Sequence, residues 1–176
     1  MRLLTVSGSL RAESSNRALL EAVQRVASRE VRVIAFEGLA EIPAFNPDVE
    51  RTTAPRAPSV AAWCAALDAA DAVLISSPEY AHGVPGVLKN ALDWVVGSGE
   101  LFDKPVGVLN ASSASQYAYP QLLETLGVMS ARLVPDACRV IDIPRRGANA
   151  EQLAGDDMVA SALREAVAAM QAAVAR

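Results

Sequence analysis

Short apolar runs alternate five times with stretches of helical period, and this alternation limits the fold more than any other feature of the chain. Leu3-Leu4-Thr5-Val6 stops at Ser7-Gly8-Ser9 and reads as a buried strand. Leu19, Leu20, Val23 and Val26 then share one helical face, with Glu21, Gln24 and Arg25 off it. Residues 31–36, rich in β-branched side chains, form a second strand. Ala72-Val73-Leu74-Ile75 is the third, ended by Ser76-Ser77-Pro78, and residues 106–109 are the fourth. Leu133-Val134 and Val140-Ile141-Asp142-Ile143 offer two registers for the fifth. Between the strands, the spacing predicts a helix through Val60, Trp63, Cys64 and Leu67. Another carries a wide stripe of Val84, Val87, Leu88, Ala91, Leu92 and Val95, with Pro85 near its first turn and Gly97-Ser98-Gly99 closing it. A further helix runs through Leu122, Leu123, Leu126 and Met129. The last starts at about Gly155 and buries Val159, Leu163, Val167, Met170 and Val174. Residues 37–58 carry four prolines and little periodicity and read as a long functional or mobile loop.

Strands that are apolar throughout and separated by helices imply a parallel sheet covered on both faces. Right-handed crossovers then leave a three-layer, doubly wound α/β sandwich, and five strands favour the flavodoxin-like order 2-1-3-4-5 over the six-stranded dinucleotide fold. Residues 1–176 are read as one domain, a length that suffices for a real core. A 52% hydrophobic share, 20% charged residues and a net charge of −4 argue against disorder. The pI of about 5.0 argues against a nucleic-acid binder. The longest uncharged stretch, 105–123, holds Asn110, Ser112, Ser113, Ser115, Gln116, two tyrosines and Pro120, and does not read as a membrane span. The first apolar run is too short for a signal peptide. Cys64 and Cys138 match no metal or CxxC spacing. A soluble cytoplasmic protein without a metal site is expected.

In such a sheet, ligands bind beyond the carboxyl ends of the strands where strand order reverses, here between strands 1 and 3. Gly8-Ser9-Leu10-Arg11-Ala12-Glu13-Ser14-Ser15-Asn16 follows strand 1. A loop feeding a helix N-terminus offers free N–H groups and the positive end of the helix dipole. Ser9, Ser14, Ser15 and Asn16 add short hydrogen-bonding side chains, and Arg11 adds a forked cation. An ordinary helix cap needs only one such residue. Four of them with an arginine point to an anion cradle. The loop is neither a Walker A motif nor GxGxxG. After strand 3 comes Ser77-Pro78-Glu79-Tyr80-Ala81-His82-Gly83, in which a proline fixes the loop, Tyr80 offers an aromatic face with a polar tip and Gly83 permits close approach of backbone to a flat ring. Asn110-Ala111-Ser112-Ser113-Ala114-Ser115-Gln116 follows strand 4 and should border the same crevice.

Gly8-Ser9-Leu10-Arg11-x-x-Ser14-x-Asn16, followed by Ser77-Pro78-Glu79-Tyr80-x-x-Gly83-x-Pro85-Gly86-x-Leu88-Lys89-Asn90-Ala91-Leu92-Asp93-Trp94, resembles the NADPH-dependent FMN reductase family of flavodoxin-like proteins. The resemblance implies FMN with its phosphate on Ser9, Arg11, Ser14 and Asn16. It places the isoalloxazine against Pro78, Glu79, Tyr80 and Gly83, largely through backbone groups. Lys89, Asn90, Asp93 and Trp94 belong in that family to the helix that supports this loop and the subunit contact. The family's glycine-rich stretch after strand 4 is replaced here by small residues, of which Ser112 is the candidate ring contact. Glu13 stands where a neutral residue is common. The implied activity is hydride transfer from NADPH or NADH to FMN, then reduction of a quinone, azo compound, metal oxyanion or free flavin on the same open face. That gives ping-pong kinetics and no catalytic side chain; the resemblance also implies a homodimer or homotetramer, with which the breadth of the Val84-to-Val96 stripe agrees.

The connection 37–58 and residues 97–104 would shape the nucleotide docking surface. His82, the only histidine, reads equally as a substrate contact or a solvated loop residue. Trp63, Trp94, Cys64 and Cys138 read as packing, and Arg145-Arg146 as a turn or exposed pair. The competing readings are a flavodoxin-like electron carrier without NAD(P)H turnover, and a flavin-free module binding another phosphate.

Overall fold

The computed structural model describes residues 1–51, 55–143 and 147–176, so Arg145-Arg146 and part of the long connection after the second strand lie outside the described residues. Strand β1 (Arg2–Ser7) pairs in parallel with β2 (Arg32–Phe36) on one side and β3 (Ala72–Ser76) on the other. Next to β3 lies β4 (Pro105–Asn110), and the order is β2-β1-β3-β4-β5, as the alternation of elements required. Every residue of β3 and β4 is buried, because helices cover both faces, whereas edge strand β2 is only half-buried.

Both registers proposed for the fifth strand are real. β5 (Arg132–Leu133) pairs with Pro105 and Val106 of β4, and β6 (Arg139–Val140) pairs with Leu109 and Asn110. A 3-10 turn, Pro135–Ala137, interrupts them. Pro135 has no N–H for a ladder, and Gly107 in mid-β4 leaves room for the turn: a Cβ there would come within 2.8 Å of the Ala137 Cβ.

Alternation along β1 divides the core. Leu3 belongs to the layer under α1 (Ser15–Val26) with Leu19, Val23, Leu163 and Met170. Leu4 and Val6 belong to the opposite layer with Trp63, Leu88 and Leu92. The connection read as a loop contains a 3-10 turn (Leu39–Glu41) and a short helix α2 (Pro47–Glu50), capped where the Asp48 N–H donates to Asn46 Oδ1 at 2.9 Å. The opposite layer is completed by α3 (Pro58–Asp68), α4 (Gly86–Asp93) and α5 (Ala118–Val128). Val84 precedes α4, and of the stripe Leu88, Ala91, Leu92 and Val95 are buried inside the chain, while Val84 and Val87 are half-buried and Val96 is exposed.

The last helix expected from about Gly155 is α7 (Asp157–Val174), and it is preceded by a short helix that was not expected, α6 (Ala150–Gly155). They break at Asp156, whose carboxylate accepts from the Met158 and Val159 N–H groups at 3.1 and 3.0 Å. Met170 is the last buried residue on its stripe, and Val174 is exposed, contrary to expectation. Among the described residues no helix is long and apolar enough to cross a membrane.

Trp63 and Trp94 are core residues whose indole N–H groups donate to the carbonyls of Ala91 and Pro43, both at 2.8 Å. Cys138 is half-buried and Cys64 buried. Burial, reinforced by Glu100, pushes the Cys64 thiol up to about 11. Since the thiolate is the reactive form, Cys64 is expected to ignore a disulfide-exchange reagent at neutral pH in the folded protein and to react fully on unfolding. Rapid labelling of Cys64 in the native state would contradict its placement.

Candidate functional site

The carboxyl ends of β1, β3 and β4, with the segment after β6, open onto a cleft of about 530 Å³. Ser9, Arg11, Ser14, Ser15, Asn16, Pro78, Glu79, Tyr80 and Ser112 all line it. The segments singled out after strands 1, 3 and 4 therefore meet at one place.

Gly8 lets the first loop pass close to the end of β3. Its N–H donates to the Ser76 carbonyl at 2.8 Å, and a Cβ at this position would fall 2.5 Å from Ser77 Oγ. Ser9 is buried and its hydroxyl lies 3.1 Å from the Tyr80 hydroxyl, joining the first loop to the second, while it accepts from the Arg11 N–H at 3.2 Å. Ser14 is the cap of α1, accepting from the Arg17 N–H at 3.4 Å, so the plain capping role holds for this serine.

Asn16 is buried, and its Oδ1 accepts from Ser76 Oγ at 2.8 Å and from the Ala111 N–H at 3.3 Å. That one side chain pins the ends of β3 and β4 to the start of α1. Arg11 is exposed on the cleft, and its guanidinium has no ion pair or hydrogen bond among the described residues. Glu13 is exposed beside it.

On the third wall, Asn110 Oδ1 accepts from the Ser112 N–H at 3.0 Å, while Asn110 Nδ2 is buried without a partner among the described residues. A buried donor left unpaired in a folded protein calls for an explanation, and a ligand in the cleft supplies one. The Ser113 N–H donates to Asp142 Oδ1 at 2.8 Å, and Asp142 and Ile143 complete the lining. Asn110, Asp142 and Ile143 were missed as site residues. Asn110 carried a signal, a polar residue closing an apolar strand, while Asp142 was obscured by the open register of the fifth strand.

The loop after β3 is a tight turn: Tyr80 and Gly83 exchange backbone hydrogen bonds at 3.1 and 3.0 Å. Its central residues, Ala81 and His82, both have positive φ, 48° and 61°, the backbone of a two-residue hairpin turn that favours glycine or asparagine. Gly83 itself does not have positive φ and does not line the cleft, and a Cβ there would meet nothing closer than 3.7 Å. Gly83 closes the turn through its paired backbone hydrogen bonds with Tyr80. Ala81→Gly is expected to raise stability by about 0.5–1 kcal/mol, read as a higher midpoint in urea; a lower midpoint would show that the strain is not there.

The Glu79 side chain turns toward α5. Its Oε2 accepts from the Tyr117 and Ala118 N–H groups at 2.7 and 2.8 Å and from Ser115 Oγ at 3.4 Å. The N–H groups of Ala118 and Tyr117 hold its carboxyl below the usual carboxylate range. The His82 ring stacks on Tyr117 with centroids 4.2 Å apart and planes at 25°. Histidine is thus engaged beside the site and lies outside the cleft lining.

The helix residues of the second motif also hold a segment that the sequence did not point to. Asn90 Oδ1 accepts from the Phe45 N–H at 2.7 Å, Asn90 Nδ2 donates to the Pro43 carbonyl at 2.9 Å, and Phe45 packs edge-on to Trp94 at 5.3 Å. Asn90 and Trp94 therefore brace the connection after β2, and Lys89 pairs with Asp93 along the helix.

A parallel sheet in this order, with a nucleotide-sized cleft and an unpaired arginine beside a helix N-terminus at the strand-order reversal, defines a flavodoxin-like ligand-binding α/β protein. The family model for NADPH-dependent FMN reductase matches residues 1–144, and the chain belongs to that family. It is accordingly an oxidoreductase, with FMN as cofactor and NAD(P)H as reductant. It is 33% identical over 137 residues to a quinone reductase of Escherichia coli, covering 73% of this chain and 72% of that protein. It is 35% identical over 136 residues to an NAD(P)H-dependent FMN reductase of Pseudomonas aeruginosa, with the same coverage of 73% and 72%. The fold is shared with the flavoenzyme NAD(P)H:(acceptor) oxidoreductase FerB of Paracoccus denitrificans, at a TM-score of 0.77 and 24% identity over 99% of this chain and 97% of that one.

Proposed function

We propose that the cleft holds FMN, with its phosphate on the loop of Ser9, Arg11, Ser14, Ser15 and Asn16 and its ring between Pro78-Glu79-Tyr80 and Ser112, and that residues 1–176 act as one FMN-binding unit. The observation that carries this reading is the unpaired Arg11 guanidinium at the N-terminus of α1, facing a wall that contains the orphaned Asn110 Nδ2. A dianionic phosphate suits the first, and a polar ring edge or ribityl chain suits the second. Asn16 Nδ2, also without a partner among the described residues, adds a further donor.

When bound, FMN supplies the two-electron chemistry, taking hydride from NAD(P)H and reducing an acceptor. The protein binds and orients. Arg11 and the α1 N–H groups neutralise the phosphate, Tyr80 fixes the second loop to the first through Ser9, and no side chain is assigned a proton-transfer role. The acceptor class favoured is a quinone, in line with the name of the Escherichia coli relative, ahead of azo compounds, metal oxyanions or free flavin. The electron-carrier alternative sits poorly with membership of a reductase family.

The proposed assembly is a homodimer or homotetramer. Phe102 and Val128, 73% and 75% exposed on segments joined by the Asp103 N–H to the Ser130 carbonyl, support it. Two free thiols suit the reducing cytoplasm. One face used in turn by nucleotide and acceptor predicts parallel double-reciprocal lines when NADPH or NADH is varied at several quinone concentrations. Intersecting lines would contradict the shared face.

A further inference from the structure

We propose that Glu79 is a positioning residue that latches the second wall of the cleft to the third, so that its carboxylate governs how well the cleft is formed without itself having to meet the cofactor. The inference rests on the proposed FMN site and deepens it.

Helix α5 has no cap of its own: the side chain of its N-cap residue Tyr117 makes no capping hydrogen bond. Helix starts leave several N–H groups unsatisfied, and an acceptor there is needed whether it comes from the chain's own turn or from elsewhere. Here it comes from 38 and 39 residues away, as Glu79 Oε2 takes the Tyr117 and Ala118 N–H groups together. The same oxygen takes Ser115 Oγ, on the segment that lines the cleft opposite Pro78-Glu79-Tyr80. Two further contacts close the same seam, the His82 ring on Tyr117 and the Val84 N–H donating to Gln121 Oε1 at 3.0 Å. The turn between them, with Ala81 and His82 at positive φ, is a backbone that persists only where its surroundings hold it. Glu79 is therefore the charged centre of a seam joining the β3–α4 loop to the amino end of α5, and Tyr80, the next residue, carries that order across to Ser9 of the phosphate loop.

The test compares Glu79→Ala, Glu79→Gln and Arg11→Ala by two readouts on the full chain: FMN affinity from fluorescence quenching, and hydrogen exchange of the amides at Tyr117 and Ala118. Glu79→Ala is expected to weaken FMN binding about tenfold or more and to speed exchange at both amides. Glu79→Gln keeps a neutral acceptor, so it is expected to recover most of both, and it serves as the test should the alanine variant not fold. Arg11→Ala is expected to lose FMN affinity with exchange at Tyr117 and Ala118 unchanged. Faster exchange in Glu79→Ala with FMN affinity unaltered would overturn the proposal, leaving Glu79 a helix cap only. Lost affinity with unaltered exchange would also overturn it, making Glu79 a direct contact. An Arg11→Ala variant that keeps full FMN affinity would instead strike the phosphate assignment on which both rest.

Discussion

Replacing Arg11 by alanine is expected to weaken FMN binding by about 1.5–3 kcal/mol, roughly 10- to 150-fold in Kd. The size follows from the state of this arginine. It is exposed on the cleft beside the amino end of α1, and it has no protein partner among the described residues that would be orphaned by its loss. Removing it therefore subtracts a charge-assisted hydrogen bond to the ligand and nothing from the fold. The urea midpoint of the FMN-free protein should stay where it is. Riboflavin, which lacks the phosphate, should bind the variant and the parent alike, so the preference for FMN over riboflavin should shrink by the same factor. Arg11→Lys keeps the charge but loses the forked geometry and should fall between the two. An alanine variant that binds FMN as tightly as the parent would place the phosphate elsewhere.

Asn16→Ala is expected to have the largest effect on stability. Its Oδ1 is the acceptor for Ser76 Oγ and the Ala111 N–H, and both of those residues are buried. Leaving a buried donor unsatisfied costs about 1–3 kcal/mol, so losing the acceptor for two should cost about 2–4 kcal/mol, measured by urea unfolding. FMN affinity should fall as well, because the ends of β3 and β4 are held to the start of α1 at the cleft by that side chain. Asn16→Asp separates the two consequences. It retains an acceptor for both donors and should recover much of the stability, while its negative charge in the phosphate cradle should keep FMN affinity low. An alanine variant of unchanged stability would mean that Asn16 is not the knot between the strands.

The order of the sheet was legible because β3 and β4 are apolar on every side, which only a doubly covered parallel sheet requires. The fifth strand was not settled, since the chain uses both candidate segments and the reason, room beside Gly107 for the Ala137 turn, lies in a contact between distant residues. That the loop after β1 lines the cleft was legible from its density of Ser, Asn and Arg at a strand-to-helix junction. The second loop was legible in position only. Gly83 drew attention as a glycine, yet the positive φ falls on Ala81 and His82, which nothing in their identity announces. The part played by Glu79 was invisible, because its partners are backbone N–H groups far along the chain and backbone donors leave no mark on a sequence.

The depressed Glu79 carboxyl also fixes the sign of one pH dependence. A group whose folded pKa lies below its unfolded value stabilises fully above the ordinary carboxylate range and loses that contribution as pH falls through the lowered value. Acid unfolding of the parent should therefore be steeper than that of Glu79→Gln, read as urea midpoints between neutral and acid pH. Identical slopes would contradict a carboxylate at the amino end of α5.

The central claim, that this cleft binds FMN and draws its electrons from a nicotinamide nucleotide, is tested most directly by the anaerobic absorbance spectrum of the purified protein supplied with FMN, before and after NADPH and then NADH. The account predicts protein-bound flavin bands that bleach on addition of at least one of the two nucleotides and return with a quinone. Bands that persist with both nucleotides, or no flavin retained by the protein, would contradict it.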